Sequence, residues 1–210
     1  MDKILKDLNE FYKTQISNFE ENAQKVNWKN QHAQYIRFEQ LAKLLPMDTS
    51  QSFILLDLGC GLGDLNHFLK QKGYQNHIYK GYDVSADMIQ EAQKIYGTTT
   101  QQTFELIEHP SQMPQADYCV ASGIFNKKLH LSETEWLCYI LPTLEVMHQK
   151  TYKGFAFNML TNYADADKMR TDLYYANPCF FFDYCKRNFS RNVALLHDYQ
   201  EYDFTILVRK

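Results

Sequence analysis

The chain has 210 residues, 45% apolar and 22% charged, a mix that suits one hydrophobic core and excludes a disordered chain. Twenty-two Lys and Arg against 25 Asp and Glu leave a net charge of −3, which argues against nucleic acid as a partner. No apolar run nears the roughly 18 residues of a membrane span, and the opening MDKILKDLNEFYK lacks the apolar core and cleavage site of a signal peptide, so a cytoplasmic protein is expected. Five cysteines without a C-x-x-C pair and seven histidines without ligand spacing predict neither a disulfide framework nor a metal site.

Helices come first. Residues 2 to about 24 carry Ile4, Leu5, Leu8, Phe11, Tyr12, Ile16 and Phe19 at helical spacing, and a second helix is predicted from about 29 to 45, ahead of Pro46. Residues 53–58 then form a continuous apolar run ending in glycines, as expected of a strand buried on both faces. A helix over about 64–72 stops at Gly73, a strand follows at 77–82, and Ser85 caps a helix ending at Gly97. Strands are predicted near 103–107 and 117–122. Ser132 opens a helix with Glu135 at the capping-box position, and Pro142 should kink or restart it. A fifth strand at 154–160 leads into a polar, aromatic connector over 162–178 and a helix over 180–188. Strands at 193–197 and 204–209 are joined too briefly for a crossover helix and must pair antiparallel. Strands alternating with helices predict an α/β fold: seven strands, parallel except for the last, with helices on both faces.

The stretch Asp57-Leu58-Gly59-Cys60-Gly61-Leu62-Gly63-Asp64 places three glycines directly after a buried strand and before a helix, where backbone must approach a ligand closely. The last position of a dinucleotide fingerprint is here Asp64, a carboxylate that disfavours a pyrophosphate at the helix N-terminus. Asp83 closes the second strand, where a carboxylate can accept both hydrogens of a ribose diol. Together these residues describe a site for a nucleoside without a phosphate.

The run L-D-L-G-C-G-L-G-D resembles the first motif of class I S-adenosylmethionine (SAM) dependent methyltransferases of small-molecule type, and G-Y-D-V-S-A-D-M-I resembles their second. The resemblance covers about residues 50 to 210. It implies a Rossmann-like core over 49–210 under an N-terminal helical cover over 1–48, in one domain, with SAM as cofactor. On this resemblance Gly59, Gly61 and Gly63 line the methionine and ribose side, and Asp83 binds the ribose hydroxyls. Val84 and Met88 pack near adenine, and Asp57 orients the loop or the amino group. The segment N-W-K-N-Q-H-A-Q-Y-I-R-F is similar to N-terminal helices of small-molecule methyltransferases in which an arginine reaches the SAM carboxylate, which nominates Arg37.

Ligands of such sheets bind outside the carboxyl ends of the strands. Ala121-Ser122-Gly123-Ile124-Phe125-Asn126 should therefore face the transferring methyl, with Ser122 at the cofactor and Asn126 holding an acceptor hydroxyl or amine. Ser122 stands where amino methyltransferases of nucleic acids carry the first residue of an N-P-P-Y type motif, so base methylation is not implied. His197, at the tip of strand six, is the candidate general base, with His130 as its rival. Tyr163, Tyr174 and Tyr175 with Arg170 make the 162–178 connector a candidate lid that grips the acceptor. Residues 51–149 hold 6 basic and 11 acidic side chains, and residues 150–191 hold 7 and 4, which suggests an anionic acceptor. The expected function is methyl transfer from SAM to oxygen or nitrogen of a small molecule, an anionic metabolite or a sugar of a bacterial surface-glycan pathway. The alternative is a SAM-binding or SAM-sensing protein without catalysis.

Overall fold

A computed structural model describes residues 2–18, 22–26 and 28–210. The first predicted helix is two: α1 (Asp2–Asn18) and α2 (Asn22–Lys25). Of its apolar stripe, Phe19 and the side chain of Ile16 lie outside the described residues. Asn30 caps α3 (Gln31–Ala42), its Oδ1 accepting the Ala33 N–H at 2.9 Å. Strands and helices then alternate as β1 (Ile54–Leu58), α4 (Asp64–Gln71), β2 (Ile78–Asp83), α5 (Ala86–Tyr96), β3 (Gln102–Leu106) and β4 (Ala116–Ala121). The chain closes with α6 (Glu133–Gln149), β5 (Thr151–Leu160), α7 (Pro178–Asn188), β6 (Asn192–Leu196) and β7 (Asp203–Arg209).

The seven strands form one sheet in the order β3-β2-β1-β4-β5-β7-β6. Strand β7 runs antiparallel to β5 and β6, and the other pairs are parallel. Side chains alternate between the faces, as a period of two requires. Leu56, Leu58, Cys119, Ala121, Phe155 and Phe157 enter one core layer with α1, α6 and α7. Leu55, Tyr79, Tyr118, Val120 and Ala156 enter the other, with α3, α4 and α5. Both faces are thus covered, which explains the near-continuous apolar runs of the central strands.

Two expectations change. Helix α6 runs unbroken through Pro142. Proline removes the hydrogen bond to the carbonyl four residues back, here that of Cys138, and both residues lie on the exposed face, where solvent can reach the freed carbonyl. The 162–178 connector does not lie across the ligand face. It returns beside the loop after β4 through a Lys127–Leu173 bridge, with the Tyr174 N–H donating to the Asn126 carbonyl at 2.8 Å and the Leu129 N–H to the Asp172 carbonyl at 3.1 Å.

Candidate functional site

The strand order reverses at β1, whose neighbours are β2 on one side and β4 on the other. A crevice must open outside the carboxyl ends there, because the crossover helices leave to opposite faces. That crevice holds a cavity of about 1070 Å³ of empty space, open solvent included. Its wall comes from Asp57 to Gly61 at the end of β1, Asp83, Val84 and Met88 from the end of β2 onward, and Ser122 to Ile124, Asn126 and Lys127 after β4.

The glycine loop turns with positive φ at Gly59 (73°), Gly61 (51°) and Gly63 (83°), backbone that L side chains rarely adopt. The N–H groups of Gly59 and Cys60 donate to the Tyr82 carbonyl at 2.7 and 3.0 Å, which ties the loop to the end of β2. Gly61 donates its N–H to Asp83 Oδ2 at 2.9 Å, and Asp83 Oδ1 accepts the Ser85 N–H at 2.9 Å. The carboxylate expected to hold a diol therefore also shapes the loop beneath it. Each oxygen keeps acceptor capacity toward the cavity, since an ionised carboxylate has about four acceptor sites. Gly63 does not line the cavity; a side chain there would meet the ring of Phe104. Its role is to let α4 begin against β3.

Three acids crowd this corner. Burial pushes Asp57 up to about 7, the charges of Asp83 and Asp64 add to the effect, and the Tyr79 hydroxyl donating at 2.6 Å opposes it. Burial also raises Asp83, against the pull of the backbone donors from Ser85 and Gly61. Asp64 faces away from the cavity. Its oxygens accept from the Tyr96 hydroxyl at 2.7 Å and Gln34 Nε2 at 3.4 Å.

The cover over this cavity is N-terminal. Leu5, Leu8 and Tyr12 of α1, then Val26, Trp28, Gln34 and Phe38, line it. Gly123, at φ 76°, lies under the Trp28 ring; a Cβ there would meet Trp28 Cζ2 at 2.6 Å. Arg37 does not line the cavity. It stacks on Trp28, 4.4 Å from the ring centroid to the guanidinium carbon, donates to the Ala33 carbonyl at 2.6 Å and pairs with Asp203 and Glu201. Only 5% exposed, it sits on the outer side of Trp28, where its guanidinium matches the buried Asp203 at the start of β7.

The other predicted residues divide by position. Ser122 lines the cavity and its Oγ accepts from Asn158 Nδ2 at 3.4 Å. Asn126 lines it too, with Oδ1 accepting the Leu160 N–H at 3.0 Å. His197 is exposed beside Tyr163, ring centroids 5.9 Å apart. It lies outside the cavity because β6 is the edge strand, three places from β4. His130 is also exposed, with Nε2 at 3.8 Å from Asp7 Oδ2. Among the connector residues, Tyr163 is exposed and Tyr174 is buried in the core with its phenol pushed up to about 12. The Tyr175 hydroxyl accepts the Arg170 N–H at 3.0 Å, and the Arg170 side chain is paired with Asp172. None of the four lines the cavity. Sequence reasoning missed Lys127, Tyr139 and the α1 wall. The α1 stripe of Leu5, Leu8 and Tyr12 was visible, but an apolar stripe looks the same whether it packs on a core or roofs a cavity.

Comparison with known proteins decides the family. No family model matches the chain. Over 164 residues, 78% of this chain and 97% of the relative, it is 46% identical to a Mycobacterium tuberculosis (strain ATCC 25618 / H37Rv) protein named "Putative methyltransferase Rv1506c". The chain belongs to the class I S-adenosylmethionine-dependent methyltransferases. Solved structures of lower identity share the fold. The magnesium protoporphyrin IX methyltransferase of Synechocystis PCC 6803 with bound SAM is 17% identical, covering 100% of this chain and 97% of that one at a TM-score of 0.65. The DhpI–SAM–HEP complex is 14% identical, covering 99% and 98% at 0.67. Human N-acetylserotonin methyltransferase in complex with SAM is 14% identical, covering 85% and 54% at 0.61.

The donor set of the cavity fits S-adenosylmethionine, the ligand of two of those solved structures in full-length alignment with this chain. A sulfonium and an ammonium favour a corner with two carboxylates, Asp57 and Asp83. A ribose diol fits the acceptor sites left on Asp83, and an adenine ring fits the apolar wall of Leu5, Leu8, Val84 and Met88.

Proposed function

We propose that this methyltransferase transfers the methyl group to an oxygen or nitrogen atom of a small molecule, in the cavity between the β1, β2 and β4 ends and the N-terminal cover. The observation that carries the reading is the pair Asp57 and Asp83 on one wall of a cavity roofed by Leu5, Leu8 and Tyr12. Asp83 and the Gly59–Gly61 backbone would hold the ribose side, with Val84 and Met88 at adenine and Ser122 beside the methyl. A roof of bulky side chains, 6% and 5% exposed at Leu5 and Leu8, supports a small acceptor over a polymer. Protoporphyrin IX and N-acetylserotonin, named with two enzymes of the same fold, are acceptors of that size class. An anionic metabolite or a sugar of a bacterial surface-glycan pathway would fall within the same class.

The cofactor supplies a methyl group already attached to a good leaving group, a sulfonium. The protein's part is therefore alignment and exclusion of water. Asn126, fixed by the Leu160 N–H, would orient the acceptor hydroxyl or amine. The new bond from the acceptor's lone pair to the methyl carbon would form as the sulfonium S–C bond breaks and S-adenosylhomocysteine leaves, and the acceptor's proton would pass to bulk solvent as the product departs. Among the described residues no histidine lines the cavity, and Tyr12 and Tyr139 have phenols raised above their ordinary range by burial and by neighbouring charge and phenol groups, so they hold their protons at neutral pH. The test is turnover: SAM with a panel of small alcohols, phenols, amines and acids, read by formation of S-adenosylhomocysteine. Product that appears only with one acceptor class supports the reading. Turnover with RNA or protein alone would overturn it.

A further inference from the structure

The cavity is electrically lopsided. Asp57 and Asp83 stand at its β1–β2 end, and Lys127, in the loop after β4, is the one Lys or Arg among the described residues that lines it. Lys127 is only 3% exposed, a rare condition for a lysine without strong pairing. Its ammonium is paired with Asp172 and lies 4.1 Å from the centre of the Phe11 ring on α1. An ammonium has three N–H donors, and here one carboxylate serves it. That carboxylate is shared: Arg170 grips Asp172 with Nε to Oδ1 at 3.0 Å and Nη2 to Oδ2 at 2.7 Å. Burial works to raise the Asp172 carboxyl, but the hydrogen bonds and charges of Lys127 and Arg170 outweigh it and hold it below its ordinary value. Two cations around one anion leave a local charge of +1, carried to the cavity wall by Lys127, the residue after Asn126.

Resting on the methyltransferase reading above, we propose that Lys127 is the anchor of an oxyanion on the acceptor, a carboxylate or a phosphate, and so sets its substrate class. An oxyanion supplies an acceptor for the N–H donation that Asp172 and the Phe11 ring leave unused, while Arg170 continues to neutralise Asp172. The anion sits at the β4 end and the cofactor's positive groups at the carboxylate end, so the two ligands are ordered by charge. Arg170, 58% exposed at its side chain, acts through Asp172 as a positioning residue.

The experiment uses the full chain loaded with S-adenosylhomocysteine and titrated with benzoate, phenyl phosphate and neutral benzamide, followed calorimetrically. Wild type should bind at least one of the two anions tenfold or more tightly than benzamide, and which one binds tells carboxylate from phosphate. Lys127→Met should abolish that preference with the affinity for S-adenosylhomocysteine changed less than twofold, and Lys127→Arg should keep it. Asp172→Asn separates anchoring from mere support. It leaves the cation without its carboxylate and should tighten anion binding several-fold, whereas a purely structural pair would only lose thermal stability. Equal binding of benzoate and benzamide by wild type, no binding of either anion, or a preference that survives Lys127→Met would overturn the assignment. Failure of S-adenosylhomocysteine itself to bind wild type would instead defeat the cofactor reading, and the anchor with it.

Discussion

At the scale of single residues, the acidic corner makes binding sensitive to pH. The folded protein holds a proton on Asp57 up to about 7, whereas the unfolded chain releases it near 3.9. The folded state therefore binds more protons between those values, and this group's contribution to stability falls as pH rises through that window. A bound cation favours the carboxylate form, so cofactor binding should release a proton at pH 6 and almost none at pH 8. Calorimetry in buffers of different ionisation enthalpy reads this directly; equal proton release at both values would contradict it. Arg37 gives a second residue-scale outcome. With its guanidinium on Asp203 and Glu201, Arg37→Met leaves Asp203 buried without a partner and should cost about 3–5 kcal/mol in denaturant unfolding, the range for breaking a buried ion pair. A loss below 1 kcal/mol together with lost cofactor affinity would restore the carboxylate-binding role that the sequence suggested.

Among elements, the N-terminal helices matter most. Deleting residues 1–18 removes Leu5, Leu8 and Tyr12 from the cavity wall and should lower cofactor affinity at least tenfold while far-ultraviolet circular dichroism still shows a folded α/β core. Unchanged affinity would show that α1 is packing only. The loop after β4 offers a finer probe. Gly123→Ala places a side chain at φ 76° against Trp28, costing ~1–2 kcal/mol from the left-handed backbone alone and displacing the Trp28 wall. Stability measured by urea titration, and its partial recovery in the Gly123→Ala, Trp28→Ala double variant, check this.

Elements of this kind were legible from sequence where one local rule decided them. Ser85 and Ser132 open α5 and α6 and Gly73 follows the end of α4 as expected, and the paired motifs put Asp57, Gly59, Gly61, Asp83, Val84 and Met88 on one cavity. Long-range choices were not legible. Whether the 162–178 connector crosses the ligand face or doubles back depends on a backbone pairing between Lys127 and Leu173, to which neither residue type gives a signal. His197 looked like a candidate base because its strand points to the ligand face. The strand order that carries it to the sheet edge appears only when β7 inserts between β5 and β6.

On the scale of the whole molecule, the central strands, both core layers and the N-terminal helices converge on one crevice. The sheet aims three strand ends at it, and both core layers hold those strands rigid. The N-terminal helices roof it, and the returning connector steadies the loop that carries Asn126 and Lys127. No described helix is long and apolar enough to cross a membrane, and no described group of His, Cys, Asp and Glu is arranged to hold a metal ion. The central claim is that this crevice is the SAM site and that Asp83 carries the ribose contact. Calorimetric titration of wild type and Asp83→Ala with S-adenosylhomocysteine tests it most directly. One site per chain is expected, with an affinity loss of about 1.5–3 kcal/mol in the variant, the scale of hydrogen bonds to a charged group, which is roughly 10- to 150-fold in Kd. Equal affinity in a folded Asp83→Ala protein would contradict it.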